Sequence, residues 1–72
     1  MKRSVLIDAL QKQYEAEIAA SDVVIKLLLE NSVAVSEHLN HQKEINKELT
    51  KIAHAEEKLQ VLKDYEIPKG EL

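Results

Sequence analysis

The six residues Asn31-Ser32-Val33-Ala34-Val35-Ser36 decide the fold, because they interrupt an otherwise uniform helical pattern near the middle of the chain. Asn and Ser side chains compete for backbone hydrogen bonds, and β-branched valines are weaker helix formers. Ser36 followed by Glu37 has the pattern of an N-cap with a first-turn acid, which suits the start of a second helix. We therefore predict an interhelical turn within residues 31–36.

The segment before this turn, residues 4–30, has the pattern of one long helix that is capped by Ser4. Apolar residues recur there at spacings of three and four along one broad face: Leu6, Ile7, Leu10, Tyr14, Ile18, Val24, Ile25, Leu28 and Leu29. A second apolar strip lies beside it, formed by Val5, Ala9, Ala16, Ala20, Val23 and Leu27. A single neighbouring helix cannot cover so wide a surface, so this helix is expected to have two or more neighbours.

The segment after the turn predicts a second helix over residues 37–65. Its narrower apolar line is Ile45, Leu49, Ile52 and Leu59, and Gln42 and Glu56 occupy the remaining positions of the same heptad repeat. The residue before a proline disfavours helical dihedrals, so the helix should end ahead of Pro68. Residues 68–72 are expected to form a flexible C-terminal tail.

These features predict an all-α protein, because the only proline and glycine are Pro68 and Gly70 and the remainder is rich in helix formers. Two arms of nearly equal length, each about 40 Å long, would fold back as an antiparallel hairpin over residues 1–67. Two alternatives stay open. One is a single helix of about 60 residues in a parallel coiled coil, since one heptad register runs from residue 7 to residue 63. The other is a three-helix chain with a break at Ser21-Asp22.

A chain of 72 residues without cysteine forms one small domain that cannot be stabilised by disulfides. Self-association is the remaining usual source of stability. We predict that the hairpin forms a homodimer, as a four-helix bundle or a coiled-coil-like oligomer. The residues predicted at the oligomer interface are Leu10, Ile18, Ile25, Leu28, Leu29, Ile45, Leu49, Ile52 and Leu59.

No pattern in the sequence predicts catalysis, a cofactor or a metal. Glu17 and Glu56 fall at positions that could be buried, where a polar residue more often sets helix register than performs chemistry. His38 and His41 share a helix face and could bind one metal in principle, but no glutamate lies three residues before a histidine, as it does in helical-bundle metal sites. We expect solvated histidines and a protein that is not an enzyme.

One charged feature supports an alternative function. Lys43, Lys47, Lys51 and Lys58, together with His41 and His54, form a lysine stripe along the second helix that could contact a polyanion. The net charge of −3, the absence of arginine from the stripe and the interleaved glutamates disfavour nucleic-acid binding. The predicted function is therefore a non-enzymatic interaction, assembly or adaptor role with itself and an unidentified protein partner; a small nucleic-acid-associated regulator is the alternative.

Location follows from absences in the sequence. The longest apolar stretch, Val23–Leu29, contains Lys26 and is far shorter than the ~20 residues of a membrane-spanning helix. The lack of cysteine fits a reducing compartment, so we expect a cytoplasmic protein without membrane contact. The initial Met and the short length suggest a complete small reading frame of the kind that encodes bacterial or phage accessory proteins.

Overall fold

The computed structural model describes residues 4–30 and 35–65, except for the side chains of residues 35–39. Helix α1 spans Val5–Glu30 and helix α2 spans Val35–Leu62, followed by a short 3₁₀ turn, Lys63–Tyr65. Within these ranges every regular element is helical, and the two helices pack against each other. The all-α class and the two-helix hairpin are thus confirmed, and α1 runs unbroken through Ser21-Asp22.

The helix limits differ slightly from the predicted ones. α2 begins at Val35, two residues earlier than expected, and it tightens into the 3₁₀ turn at Lys63. Residues 31–34 of the predicted turn and the predicted tail 68–72 lie outside the described residues.

Ser4 caps α1 as its sequence position predicted. Its side-chain oxygen accepts a hydrogen bond from the backbone N–H of Leu6 at 3.0 Å. Its carbonyl accepts the N–H of Asp8 at 3.1 Å, the first turn of the helix. Asp8 also places a negative charge near the positive end of the helix dipole. Together these contacts fix where α1 starts.

The helices meet along an interhelical seam, which we define as the described side chains that are buried or half-buried between them. In α1 these are Ile7, Leu10, Gln11, Tyr14, Ile18, Ser21, Asp22, Ile25 and Leu28. In α2 they are His41, Ile45, Glu48, Ile52, Ala55, Leu59 and Leu62, at alternating spacings of four and three. That spacing is the a/d repeat of a coiled coil. The helices are antiparallel, because Ser21 contacts Glu48 while the earlier Tyr14 contacts the later Lys58.

The seam of α2 corrects one detail of the sequence analysis. Leu49 is 50% exposed and Glu56 is exposed, whereas Glu48 and Ala55 are buried in their place. The actual heptad register is therefore shifted by one residue at these positions. Residues 45, 52 and 59 belong to both registers, so the apolar pattern alone did not distinguish between them.

The hairpin encloses very little apolar material. Among the described residues, Ala55 is the single buried hydrophobic residue, at 2% exposure, and the other two buried residues are Ser21 and Glu48. The large hydrophobic residues that remain exposed are Val5, Leu6, Val23, Val24, Leu27, Leu29, Leu49, Val61 and Tyr65. A single copy thus has a seam but almost no enclosed core.

Candidate functional site

One face of the hairpin carries an open depression between the helices, which we call the central groove. It has a volume of about 530 Å³ and is lined by Glu17, Ala20, Ser21 and Val24 of α1 and by Glu48, Lys51, His54, Ala55 and Lys58 of α2. A second depression of about 410 Å³ shares His54 and Lys58 with it and extends to Tyr65. The two depressions therefore form one continuous surface that leads toward the end of α2.

Helical spacing and small side chains create this groove. Glu17, Ala20 and Val24 recur at three and four residues along α1, as do Lys51, His54 and Lys58 along α2, so each set lines one wall. The buried Ser21 and Ala55 lie at its bottom and fill little volume. One wall is consequently mostly apolar and the other is basic.

The bottom of the groove holds a buried carboxylate. Glu48 is 7% exposed and accepts a hydrogen bond from the hydroxyl of Ser21. The ammonium group of Lys51 also donates to Glu48 Oε2, at 3.1 Å. The Ser21 hydrogen bond, followed by that of Lys51, lowers the pKa of Glu48 below its ordinary value, against the opposing effect of burial. Glu48 is therefore ionised at neutral pH.

The basic wall is partly engaged in contacts within the chain. Lys51 pairs with Glu48 as described, and Lys58 Nζ lies 5.4 Å from the centre of the Tyr14 ring. Next to the groove, Lys47 Nζ lies 3.6 Å from Glu44 Oε2. All four lysines of the predicted lysine stripe, including Lys43, are exposed, so their ion pairs are largely screened by solvent.

The residues predicted at an oligomer interface divide into two groups. Seven of them are half-buried and contribute to the seam of the hairpin: Leu10, Ile18, Ile25, Leu28, Ile45, Ile52 and Leu59. The other two, Leu29 and Leu49, are exposed. Their role between copies stays a prediction. Glu17 and Glu56, whose burial the sequence left open, are both exposed.

The described residues contain no group of three or more His, Asp or Glu that could hold a metal ion. The side chain of His38 lies outside the described set, so its predicted pairing with His41 is not addressed. The Nδ1 atom of His41 is buried and has no hydrogen-bond partner among the described groups. Its position at the end of the seam nearest residues 31–34 makes it a polar interruption of the heptad pattern.

The sequence analysis missed the contact between Ser21 and Glu48. The sequence pattern marks Ser21 only as an alternative helix break and places Leu49 rather than Glu48 in the seam. A signal was present, since Ser21 and Glu48 are both polar residues flanked by isoleucines at heptad spacing. This pattern indicates a contact between Ser21 and Glu48 only when the antiparallel register of the helices is known.

Comparisons of this chain with models of protein families, with curated proteins and with solved structures find no match. Neither described helix combines the length and apolar character needed to cross a membrane. The functional argument therefore depends on the geometry and chemistry of the hairpin itself.

Proposed function

We propose that this chain is a non-enzymatic interaction and assembly module that acts as a homo-oligomer, in its simplest form a homodimer of two hairpins in a four-helix bundle. The observation that carries the proposal is that the described residues enclose almost no apolar core. Of the described hydrophobic residues only Ala55 is buried, while Leu6 is 72% exposed. Soluble helices that keep such surfaces usually cover them with another chain.

The energy available from covering this surface is large compared with the stability of a small domain. Fully burying one Val or Leu side chain contributes about 1.5–3 kcal/mol, and a folded domain is stable by only about 5–15 kcal/mol. Covering a few of the exposed side chains, such as Leu6, Val23 and Leu27, would therefore decide whether the hairpin is stable. Folding and association should be coupled in this chain.

An adaptor role follows from the same architecture. A bundle of four helices presents long outer faces with alternating charges, as α1 does where Lys26 pairs with Asp22 at 2.9 Å. Such faces can contact a further protein without any catalytic group. We place the unidentified protein partner there and the second copy on the apolar face.

The alternative of a nucleic-acid-associated regulator has weaker support. Two lysines of the stripe, Lys47 and Lys51, already have glutamate partners. A phosphate backbone would have to compete with those carboxylates, and the net charge of −3 opposes its approach. Salt-sensitive retention on heparin that is lost in a Lys43→Glu/Lys47→Glu variant would favour this alternative.

Sedimentation equilibrium and thermal unfolding, followed by circular dichroism over a wide range of protein concentration, test the proposal. We expect the mass of a dimer and a melting temperature that rises with concentration, since association and folding are linked. A helical monomer whose melting temperature is independent of concentration would overturn it.

A further inference from the structure

We propose that the central groove is occupied by α1 of a second copy of this chain, in a two-fold arrangement in which each α1 lies in the groove of the other hairpin. This inference rests on the proposed self-association and specifies its surface.

The groove has the chemistry of a site for an amphipathic, acidic helix. Ala20 and Val24 on one wall and Ala55 at the bottom supply apolar surface with little bulk. On the other wall Lys58 supplies a positive charge and hydrogen-bond donors, while Lys51 is paired with Glu48 within the chain. A helix with an apolar strip and neighbouring carboxylates would satisfy both walls.

α1 itself is such a helix. It carries five carboxylates, at residues 8, 15, 17, 22 and 30, and two lysines, at residues 12 and 26, which gives it a formal charge of −3. An exposed apolar strip runs along it, made of Leu6, Ala9, Ala16, Ala20, Val23 and Leu27. Glu17 follows Ala16 by 100° around the helix, on the side of the strip that borders the groove. The Glu17 side chain of a second copy is thus the acid best placed to meet Lys58.

The two-fold arrangement also accounts for the width of the apolar surface on α1. The seam residues Ile18 and Ile25 contact α2 of the same chain, and the exposed strip faces away from that seam by the helical period. With α1 at the centre, one side of it packs on its own α2, and the groove and strip pack on the other copy. The opposite flank is more polar, with the exposed Asp8, Glu15 and Lys26, and would lie outside the contact between copies.

A matched pair of substitutions tests where the second copy binds. Ala19 and Ala20 are adjacent exposed residues of α1, and only Ala20 lines the groove. We expect Ala20→Gln to raise the dissociation constant of the dimer by about tenfold or more, because a bulky polar side chain then lies between apolar surfaces. Ala19→Gln, with the same change in helix propensity, should leave it unchanged.

A charge exchange tests the pairing of Glu17 with Lys58. We expect Glu17→Lys and Lys58→Glu each to weaken the homodimer, and an equal mixture of the two variant chains to form a heterodimer as tight as the parent. Mixing restores opposite charges at both symmetry-related contacts between copies, but it cannot relieve repulsion inside one hairpin. Glu15→Lys mixed with Lys43→Glu is the control, and these should show no preference for each other.

The outcomes separate this inference from the proposed function. A chain that dimerises with equal affinity in the Ala19→Gln and Ala20→Gln variants, and without heterodimer preference, overturns the inference and leaves self-association standing. A chain that stays a folded monomer in the parent form overturns both. Selective loss at Ala20 together with recovery on mixing supports both.

Discussion

Ser21 and Glu48 are hydrogen-bonded to each other across the two helices, at heptad positions that are usually apolar. Ile18 and Ile25 flank Ser21 along α1, and Ile45 and Ile52 flank Glu48 along α2. Sliding one helix by a single turn would therefore bring the Glu48 carboxylate against an isoleucine. A polar pair in an apolar seam fixes register at some expense in stability, and this pair has the position to do so.

The first prediction concerns the energetic coupling of this pair. We expect Ser21→Ala to lower the melting temperature by about 5 °C, because the buried carboxylate loses a hydrogen bond. Alanine also favours helix, which offsets part of the loss. A double-mutant cycle with Glu48→Ala cancels that contribution, removes the hydrogen-bond acceptor and should give a favourable coupling. A coupling of zero, measured at constant protein concentration, would contradict the contact.

The second prediction concerns pH. The pKa of Glu48 is lowered from its ordinary value of 4.5 by Ser21 and Lys51, so the folded state holds the ionised form more strongly than the unfolded chain does. The resulting stabilisation is fully present above pH 4.5 and is lost as the pH falls through the lower value in the folded state.

We therefore expect the difference in melting temperature between the parent chain and Glu48→Gln to be constant near neutral pH. It should close as the pH is lowered below 4.5, where Glu48 becomes a neutral side chain like Gln. Other carboxylates titrate in both proteins and cancel in this comparison. A difference that does not change across this range would refute the lowered pKa.

The third prediction uses the close packing at Ala55. This residue is 2% exposed, whereas Ala53, two residues earlier on the same helix, is exposed. We expect Ala55→Leu to destabilise the hairpin by about 1–3 kcal/mol, because the larger side chain must displace seam residues of α1 or project into the central groove. Ala53→Leu carries the same change in side chain and should stay within about 0.5 kcal/mol of the parent. Chemical denaturation measures both, and equal effects would show that the seam does not pass through Ala55.

The fourth prediction distinguishes the two heptad registers of α2. Ile52 is half-buried in the seam and Leu49 is 50% exposed. At a concentration where a single copy predominates, we expect Ile52→Ala to cost about 1–2 kcal/mol and Leu49→Ala less than about half of that. Equal losses of stability in the two variants under those conditions would instead support the heptad register that includes Leu49.

Much of the fold could be read from the sequence because local signals agree with it. The capping oxygen of Ser4, the helix-forming composition and the interruption at residues 31–36 each depend on neighbours in the chain. They predicted two helices of nearly the observed lengths. The hairpin then followed from their equal lengths and from the apolar faces that they share.

The features that could not be predicted from the sequence are contacts between the two helices. A carboxylate such as Glu48 is buried only when a partner like Ser21 faces it, and that partner is 27 residues away in sequence. Apolar periodicity ranks Leu49 above Glu48 because it takes no account of hydrogen bonding across the seam. The groove was not predicted for the same reason, since its walls come from two helices whose rotation depends on these contacts.

Ala55 is the single enclosed hydrophobic residue in the part of the chain that the structure describes, and this affects the lifetime of the chain in a cell. Two helices that enclose so little apolar surface are expected to open often, and proteases cleave the backbone of opened molecules. If the chain self-associates as proposed, single copies would then be degraded while assembled copies persist. The protein would thus accumulate only when its rate of synthesis exceeds a threshold, and it would be removed below that rate.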